Sequence, residues 1–151
     1  QLEVGLGTFL PVETATLEEH PMHREHYSVP AATISDIRRQ RGLDGAPPDK
    51  GRIVVVGTTA VRTLEAAADE ILGASPPAEG GDIRSSTTLK IMPGHAFRLT
   101  DAMLTNFNLP RSTLLELVAA LVGLDRVKAL YALAIREGYR FYSYGDAMLI
   151  L

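Results

Sequence analysis

The chain has 151 residues, 46% of them hydrophobic and 22% charged, a composition suited to one ordinary globular α/β or α+β unit with a real but modest core. Its net charge of -3 and sequence pI near 5.8 argue against broad nonspecific nucleic-acid binding, which relies on neutralising several phosphates. The absence of cysteine excludes disulfide scaffolds, thiolate metal sites and cysteine nucleophiles, and is compatible with the cytosol.

In chain order, residues 2–9 read as an interior strand ended by Pro11. A chain that opens on Gln1 and enters a strand at once is expected to be part of a longer protein. A polar segment around His20 follows, then a short strand at 27–29. From Ala32, the spacing of Ile34 and Ile37 with Arg38, Arg39 and Arg41 near the end predicts an amphipathic helix stopped at Gly42. After a Pro/Gly loop at 42–51, the β-branched run at 52–56 predicts a buried strand, followed by Gly57-Thr58-Thr59 and a helix over 60–72. Residues 73–86 read as a loop. Strands are expected at 88–92, 97–99 and 102–107, with turns at Pro93-Gly94 and Thr100-Asp101. Thr113 and Glu116 suggest a capping box for a helix that ends at Gly123, and a second helix is expected over 126–137. A turn at 141–146 precedes a last strand at 147–151. The fold class is α/β, a mixed sheet with flanking helices. No run reaches the roughly 18 apolar residues of a membrane span.

Four constellations carry chemistry. Residues 56–62, VGTTAVR, place two hydroxyls and backbone N–H groups at the carboxyl end of a strand, where α/β sheets bind ligands and helix N-termini favour anions. Arg62 adds a fork for a carboxylate or phosphate. The plainer reading is a Thr N-cap with an exposed Arg62. Residues 106–113, NFNLPRST, repeat the arrangement, so the two loops can converge on one pocket; capping and turn formation by Asn106 and Asn108 are the alternative. His20, His23 and Glu25 suit zinc in residue type, but no fourth ligand accompanies them, so proton transfer or substrate hydrogen bonding is the expected role and no metal is read. Tyr144 and Asp146, near Phe141 and Tyr142, can offer a carboxylate and aromatic rings to a base or sulfonium, or form a simple turn. The arginines at helix ends, Arg136 and Arg140 included, read as dipole and solubility charges, with RNA phosphates as the alternative.

Five segments in order, VGLGTFLPV (4–12), EEHPMHRE (18–25), VGTTAVRTLE (56–65), LTNFNLPRSTL (104–114) and YRFYSYGDAMLI (139–150), resemble the S-adenosylmethionine:tRNA ribosyltransferase-isomerase family. The resemblance implies a monomeric, cytoplasmic, two-domain enzyme. This chain, 1–151, would be the later part of its larger α/β catalytic domain, with an upstream half carrying an inserted β-barrel absent from it. It implies S-adenosylmethionine as ribosyl donor, no metal, and as partner a tRNA carrying 7-aminomethyl-7-deazaguanine in the anticodon. The ribosyl part moves to the aminomethyl group and is isomerised, adenine and methionine leave, and epoxyqueuosine results.

Carried onto this sequence, the resemblance implies His20, His23, Glu25 and Asp146 as catalytic residues. Gly7, Thr8, Phe9, Thr58, Thr59, Arg62, Asn106, Asn108, Arg111, Ser112, Thr113 and Tyr144 would bind substrate, with Thr58, Thr59 and Arg62 on anionic groups and Tyr144 with Asp146 on the cationic cofactor. Four positions depart from the family pattern: Asn108 replaces a usual His, and Lys90, Met92 and His95 replace aromatic residues. An amide does not titrate near neutrality, so Asn108 cannot transfer a proton. The rival expectations are a paralogue using S-adenosylmethionine on another acceptor and a non-catalytic tRNA-binding module.

Overall fold

The computed structural model describes residues 2–3, 24–45, 47–48, 51–73, 81–110 and 112–151. Its elements are β1 (Leu2–Glu3), β2 (Glu25–Val29), α1 (Ala31–Gln40), β3 (Val54–Val56), α2 (Thr58–Ala66), α3 (Ala68–Leu72), β4 (Ile83–Thr87), β5 (Ala102–Asn106), α4 (Thr113–Val122), α5 (Leu124–Arg136) and β6 (Ala147–Ile150). They build two three-stranded sheets with helices against them, the α/β class expected. In one, β1-β2-β4, all pairs are antiparallel. The other, β3-β5-β6, is the mixed sheet, with β3 parallel and β6 antiparallel to the central β5.

Each sheet has its own core. Tyr27 and Val29 of β2 and Ile83 of β4 pack with Ile34 and Ile37 of α1 and with Ala67, Ala68 and Ile71. Val55, Met103 and Ile150 of the mixed sheet pack with Val61 of α2, Leu117 and Val118 of α4 and Val127 of α5. Ile53 and Leu64 touch both clusters, so α2 lies where the two meet. Burial of each of the larger aliphatic side chains among these stabilises by roughly 1.5–3 kcal/mol. Among the described residues no helix is long and apolar enough to cross a membrane.

Several boundaries differ from those expected. The helix predicted over 60–72 starts at Thr58 and breaks at Ala67, giving α2 and α3. The strand predicted at 88–92 lies earlier, at Ile83–Thr87, inside the expected loop. Its polar residues hide the alternation, and its register is set by β2, with Val29 opposite Ile83 and Tyr27 opposite Ser85. Residues 97–99 form no strand, because their N–H groups are drawn to a side chain: Arg98 N and Leu99 N donate to Glu65 at 2.9 and 3.1 Å. The capping box of Thr113 and Glu116 is not formed. Ser112 caps α4 instead, accepting from Leu115 N at 3.2 Å, a contact that stabilises by about 1 kcal/mol, while Glu116 is buried.

The strand expected to be fully buried is not. Val55 faces the core, but Val54 and Val56 are 50% and 67% exposed. Leu149 shares their face through Leu104 and is 57% exposed, so one side of the mixed sheet presents an apolar surface among the described residues. Parallel strand pairs are ordinarily covered on both faces.

Candidate active site

Three segments meet at one edge of the mixed sheet. Because β3 and β5 are parallel, they end side by side, and Gly57 N donates to Leu104 O at 2.8 Å. Because β6 is antiparallel, with Ala147 opposite Asn106, the turn that precedes it arrives at the same edge. This is the carboxyl end of the parallel pair, the place where such sheets bind ligands.

The segments enclose a cavity of about 220 Å³ lined by Gly57, Thr58, Thr59, Thr105, Asn106, Asn108, Leu114, Tyr142 and Ser143. The convergence of the two loops expected from the sequence is therefore observed. A narrower cavity of about 20 Å³, lined by Thr58, Thr59, Arg62, Leu89, Lys90, Ile91, Thr113, Leu114 and Leu117, shares Thr58, Thr59 and Leu114 with the first. Both lie at the N-termini of α2 and α4. The chain turns into α2 at Gly57 with φ of 88°, a conformation that favours glycine, and among the described residues no side chain caps this helix. The plainer reading of VGTTAVR, a Thr cap beside an exposed Arg, thus fails on both counts, since Arg62 is also buried.

Arg62 forms an ion pair with Glu25. Side-chain exposures of 7% and 1% make this a buried pair joining β2 to α2. Burial pulls the guanidinium below its ordinary pKa, and its Nε, also buried, has no hydrogen-bond partner among the described residues. Glu25, expected beside His20 and His23 in proton transfer, thus sits in a strand and holds an arginine.

Asn108 is the second notable donor. It is buried, its N–H donates to the Tyr131 hydroxyl at 2.9 Å, and its Nδ2 has no hydrogen-bond partner among the described residues while its side chain helps line the wider cavity. Tyr131 belongs to an aromatic group with Phe107 and Phe141, ring centres 5.3–5.6 Å apart, that props the exit of β5. Burial raises the Tyr131 hydroxyl pKa, so it stays protonated.

The turn before β6 is closed by Asp146. Its carboxylate accepts from Arg140 N at 2.8 Å and Arg140 Nη2 at 3.3 Å, while Asp146 N donates to Arg140 O at 2.8 Å. A Cβ at Gly145 would lie 2.5 Å from Arg140 O, so only glycine fits there. Within the turn Tyr142 takes φ of 72°, held by its N–H bond to Phe107 O at 2.8 Å, and it lines the cavity with Ser143. Tyr144 is 96% exposed and does not line it.

The backbone hydrogen bond from Arg140, then the guanidinium, hold the Asp146 carboxyl below its ordinary pKa. A depressed folded-state pKa stabilises the fold above the ordinary carboxylate range, and that contribution is lost as pH falls below about 4. Ring-proton NMR of Tyr142 is therefore expected to be unchanged from about pH 5 to 8, and Asp146→Asn to loosen the turn at neutrality. Opening of the natural turn near pH 6 would contradict this account of the clamp.

Of the remaining expected site residues, Thr113 lines the narrow cavity, Asn106 the wide one, and Ser112 caps α4. Gly7, Thr8, Phe9, His20, His23 and Arg111 lie outside the described residues. Gly57, Thr105, Leu114 and Ser143 are lining residues the motif reading missed, and the alternation of β5 could have found Thr105. The arginines set against RNA have partners within the chain: Arg38 with Ile71 O and Gly73 O, Arg39 with Asp36, Arg41 with Asp101, Arg140 with Asp146.

A cavity at the carboxyl edge of a parallel strand pair, walled by two helix N-termini, defines an α/β protein with a candidate small-molecule site. The chain belongs to the queuosine biosynthesis protein family, whose model matches residues 1–150. It is 48% identical over 149 residues to an S-adenosylmethionine:tRNA ribosyltransferase-isomerase of Chlorobium chlorochromatii and 52% identical over 149 residues to one of Sorangium cellulosum. Each alignment covers 99% of this chain but only 41% and 37% of those relatives, so the chain spans about two fifths of their length. The crystal structure of S-adenosylmethionine tRNA ribosyltransferase from Thermotoga maritima superposes with a TM-score of 0.70 at 48% identity, covering 84% of this chain and 41% of that one. The family expected from the five segments is the family found.

Proposed function

We propose that this chain is the C-terminal portion of the α/β catalytic domain of an enzyme that moves the ribosyl part of S-adenosylmethionine onto 7-aminomethyl-7-deazaguanine in tRNA, isomerises it to epoxyqueuosine and releases adenine and methionine. The observation that carries the reading is the convergence of Gly57–Thr59 and Asn106–Asn108 on one cavity, in a chain about half identical to relatives bearing that name. The open apolar face of the mixed sheet is the surface we assign to the length of those relatives that this chain does not span.

The chemistry needs a base beside the sulfonium, donors for oxygen atoms of the donor substrate and a surface for a flat ring. The hydroxyls of Thr58 and Thr59 and the N-terminus of α2 serve the oxygens, the Asn108 amide donates a further hydrogen bond, and the Tyr142 ring offers a stacking face. We assign proton transfer to His20 or His23. Glu25 is assigned to holding Arg62, since a carboxylate so buried and paired is poorly placed to exchange protons.

Asn108→Ala and Thr59→Val in the full-length protein are each expected to lower kcat/KM about 10–100-fold, read by mass analysis of the modified nucleoside. Unchanged turnover in both variants would remove the cavity from the reaction. The amide at Asn108 favours one second reading, a paralogue with another acceptor. In that case Asn108→His leaves the aminomethyl-deazaguanine tRNA unreacted.

A further inference from the structure

The exit of β5 is fixed by parts of the chain distant from it in sequence. Phe107 N donates to Asp146 O at 3.3 Å, Phe107 O accepts from Tyr142 N at 2.8 Å, and Asn108 N donates to the Tyr131 hydroxyl at 2.9 Å. The first two bonds tie the exit to the turn before β6. The third reaches it from α5 and is made by a side chain. The Tyr131 ring is itself wedged edge-on against Phe107 and Phe141, with ring centres 5.6 Å away in each case, so its hydroxyl has a defined place. Tyr131 lines neither cavity, yet Asn108, which it holds, lines the wider one. Asn108 is 8% exposed, and its Nδ2 has no hydrogen-bond partner among the described residues. An amide donor kept from water without an acceptor is unfavourable, and an acceptor on a ligand removes that penalty.

We infer that Tyr131 is a positioning residue: by holding the Asn108 backbone it presents the buried Asn108 amide to the wider cavity, where Nδ2 donates to a carbonyl oxygen or ring nitrogen of the ligand. The lining of that cavity carries no charged side chain, so a neutral acceptor suits it better than an anion. Tyr131 acts through Asn108 and does not touch the ligand. The inference deepens the proposed reaction and rests on it only for the assay by which the effect on turnover is read.

The test is a double-variant cycle in the full-length protein with Tyr131→Phe, Asn108→Ala and both together, read by adenine release from S-adenosylmethionine in the presence of the modified tRNA. Tyr131→Phe keeps the ring and its packing and removes only the oxygen. It is expected to lower kcat/KM about five- to tenfold alone, and by less than about twofold beside Asn108→Ala, where no side-chain amide is left to position. Tyr139→Phe is the control: its ring centre is also 5.6 Å from that of Phe107, but it is 48% exposed, and turnover is expected to be unchanged. An equal loss in both backgrounds, or no loss in the first, overturns the inference. The KM that rises, for S-adenosylmethionine or for tRNA, names the substrate that carries the acceptor. Amide hydrogen exchange separates the inference from the reaction itself. In Tyr131→Phe the Asn108 amide is expected to exchange at least about tenfold faster, while the Phe107 amide, bonded to Asp146 O, keeps its protection. That result in a protein that releases no adenine would refute the proposed reaction and leave the Tyr131 contact standing, whereas unchanged exchange at Asn108 overturns the contact.

Discussion

Glu25→Ala is expected to lower the unfolding free energy of the full-length protein by about 3–5 kcal/mol in urea titrations, among the largest effects of any single substitution in this chain. The reason is what remains: a guanidinium with side-chain exposure of 7%, its pKa already pulled down by burial, with no counterion. Arg62→Met exposes the complementary problem, a carboxylate at 1% exposure. Replacing both, Glu25→Leu with Arg62→Met, is expected to recover most of the loss, because a buried pair contributes little net stability over apolar residues of similar volume. A double variant as unstable as either single one would show that the two charges are not each other's main partners. The recovered variant would also separate folding from function, since the pair anchors α2, whose first turn walls both cavities.

Glu65→Ala is expected to cost at least about 3 kcal/mol, by a different route. Its carboxylate, fully buried, accepts four hydrogen bonds: from Arg98 N at 2.9 Å, Leu99 N at 3.1 Å, Thr100 N at 3.0 Å and Thr100 Oγ1 at 2.8 Å. Each donor left unsatisfied in the interior costs roughly 1–3 kcal/mol, less where water enters the space of the lost side chain. Hydrogen exchange should accelerate at the amides of Arg98, Leu99 and Thr100 well before the rest of the core, because these three have exchanged strand pairing for one side chain. Unchanged protection at those amides in Glu65→Ala would contradict the assignment.

These two carboxylates also mark what the sequence conceals. Periodicity located α1, α4 and β5 well, since Ile34 with Ile37, the apolar run after Thr113, and the segment ending at Asn106 each obey the spacing of a helix face or a strand. The motif order carried the family, and the convergence of the two loops followed from placing each at a strand end. Long-range partners were out of reach: nothing within VGTTAVRTLE tells that Arg62 turns inward to Glu25 or that Glu65 gathers residues 98–100. The strand at Ile83–Thr87 was missed because its polar residues conceal which side faces the core until β2 supplies the register. Tyr142 reads in sequence as a ring near the turn, but its place at the cavity depends on a left-handed backbone that local sequence does not announce. Tyr144 and Asp146 read as ligand groups because their chemistry suits one. In the fold the first is exposed to solvent and the second closes a turn, placements that depend on contacts local chemistry does not reveal.

The central claim is tested most directly by adenine release from S-adenosylmethionine by the full-length protein, with and without tRNA carrying 7-aminomethyl-7-deazaguanine. Release that requires the modified tRNA, with methionine formed in equal amount, is the predicted result. No release with that tRNA, under conditions where a full-length relative turns over, would contradict it.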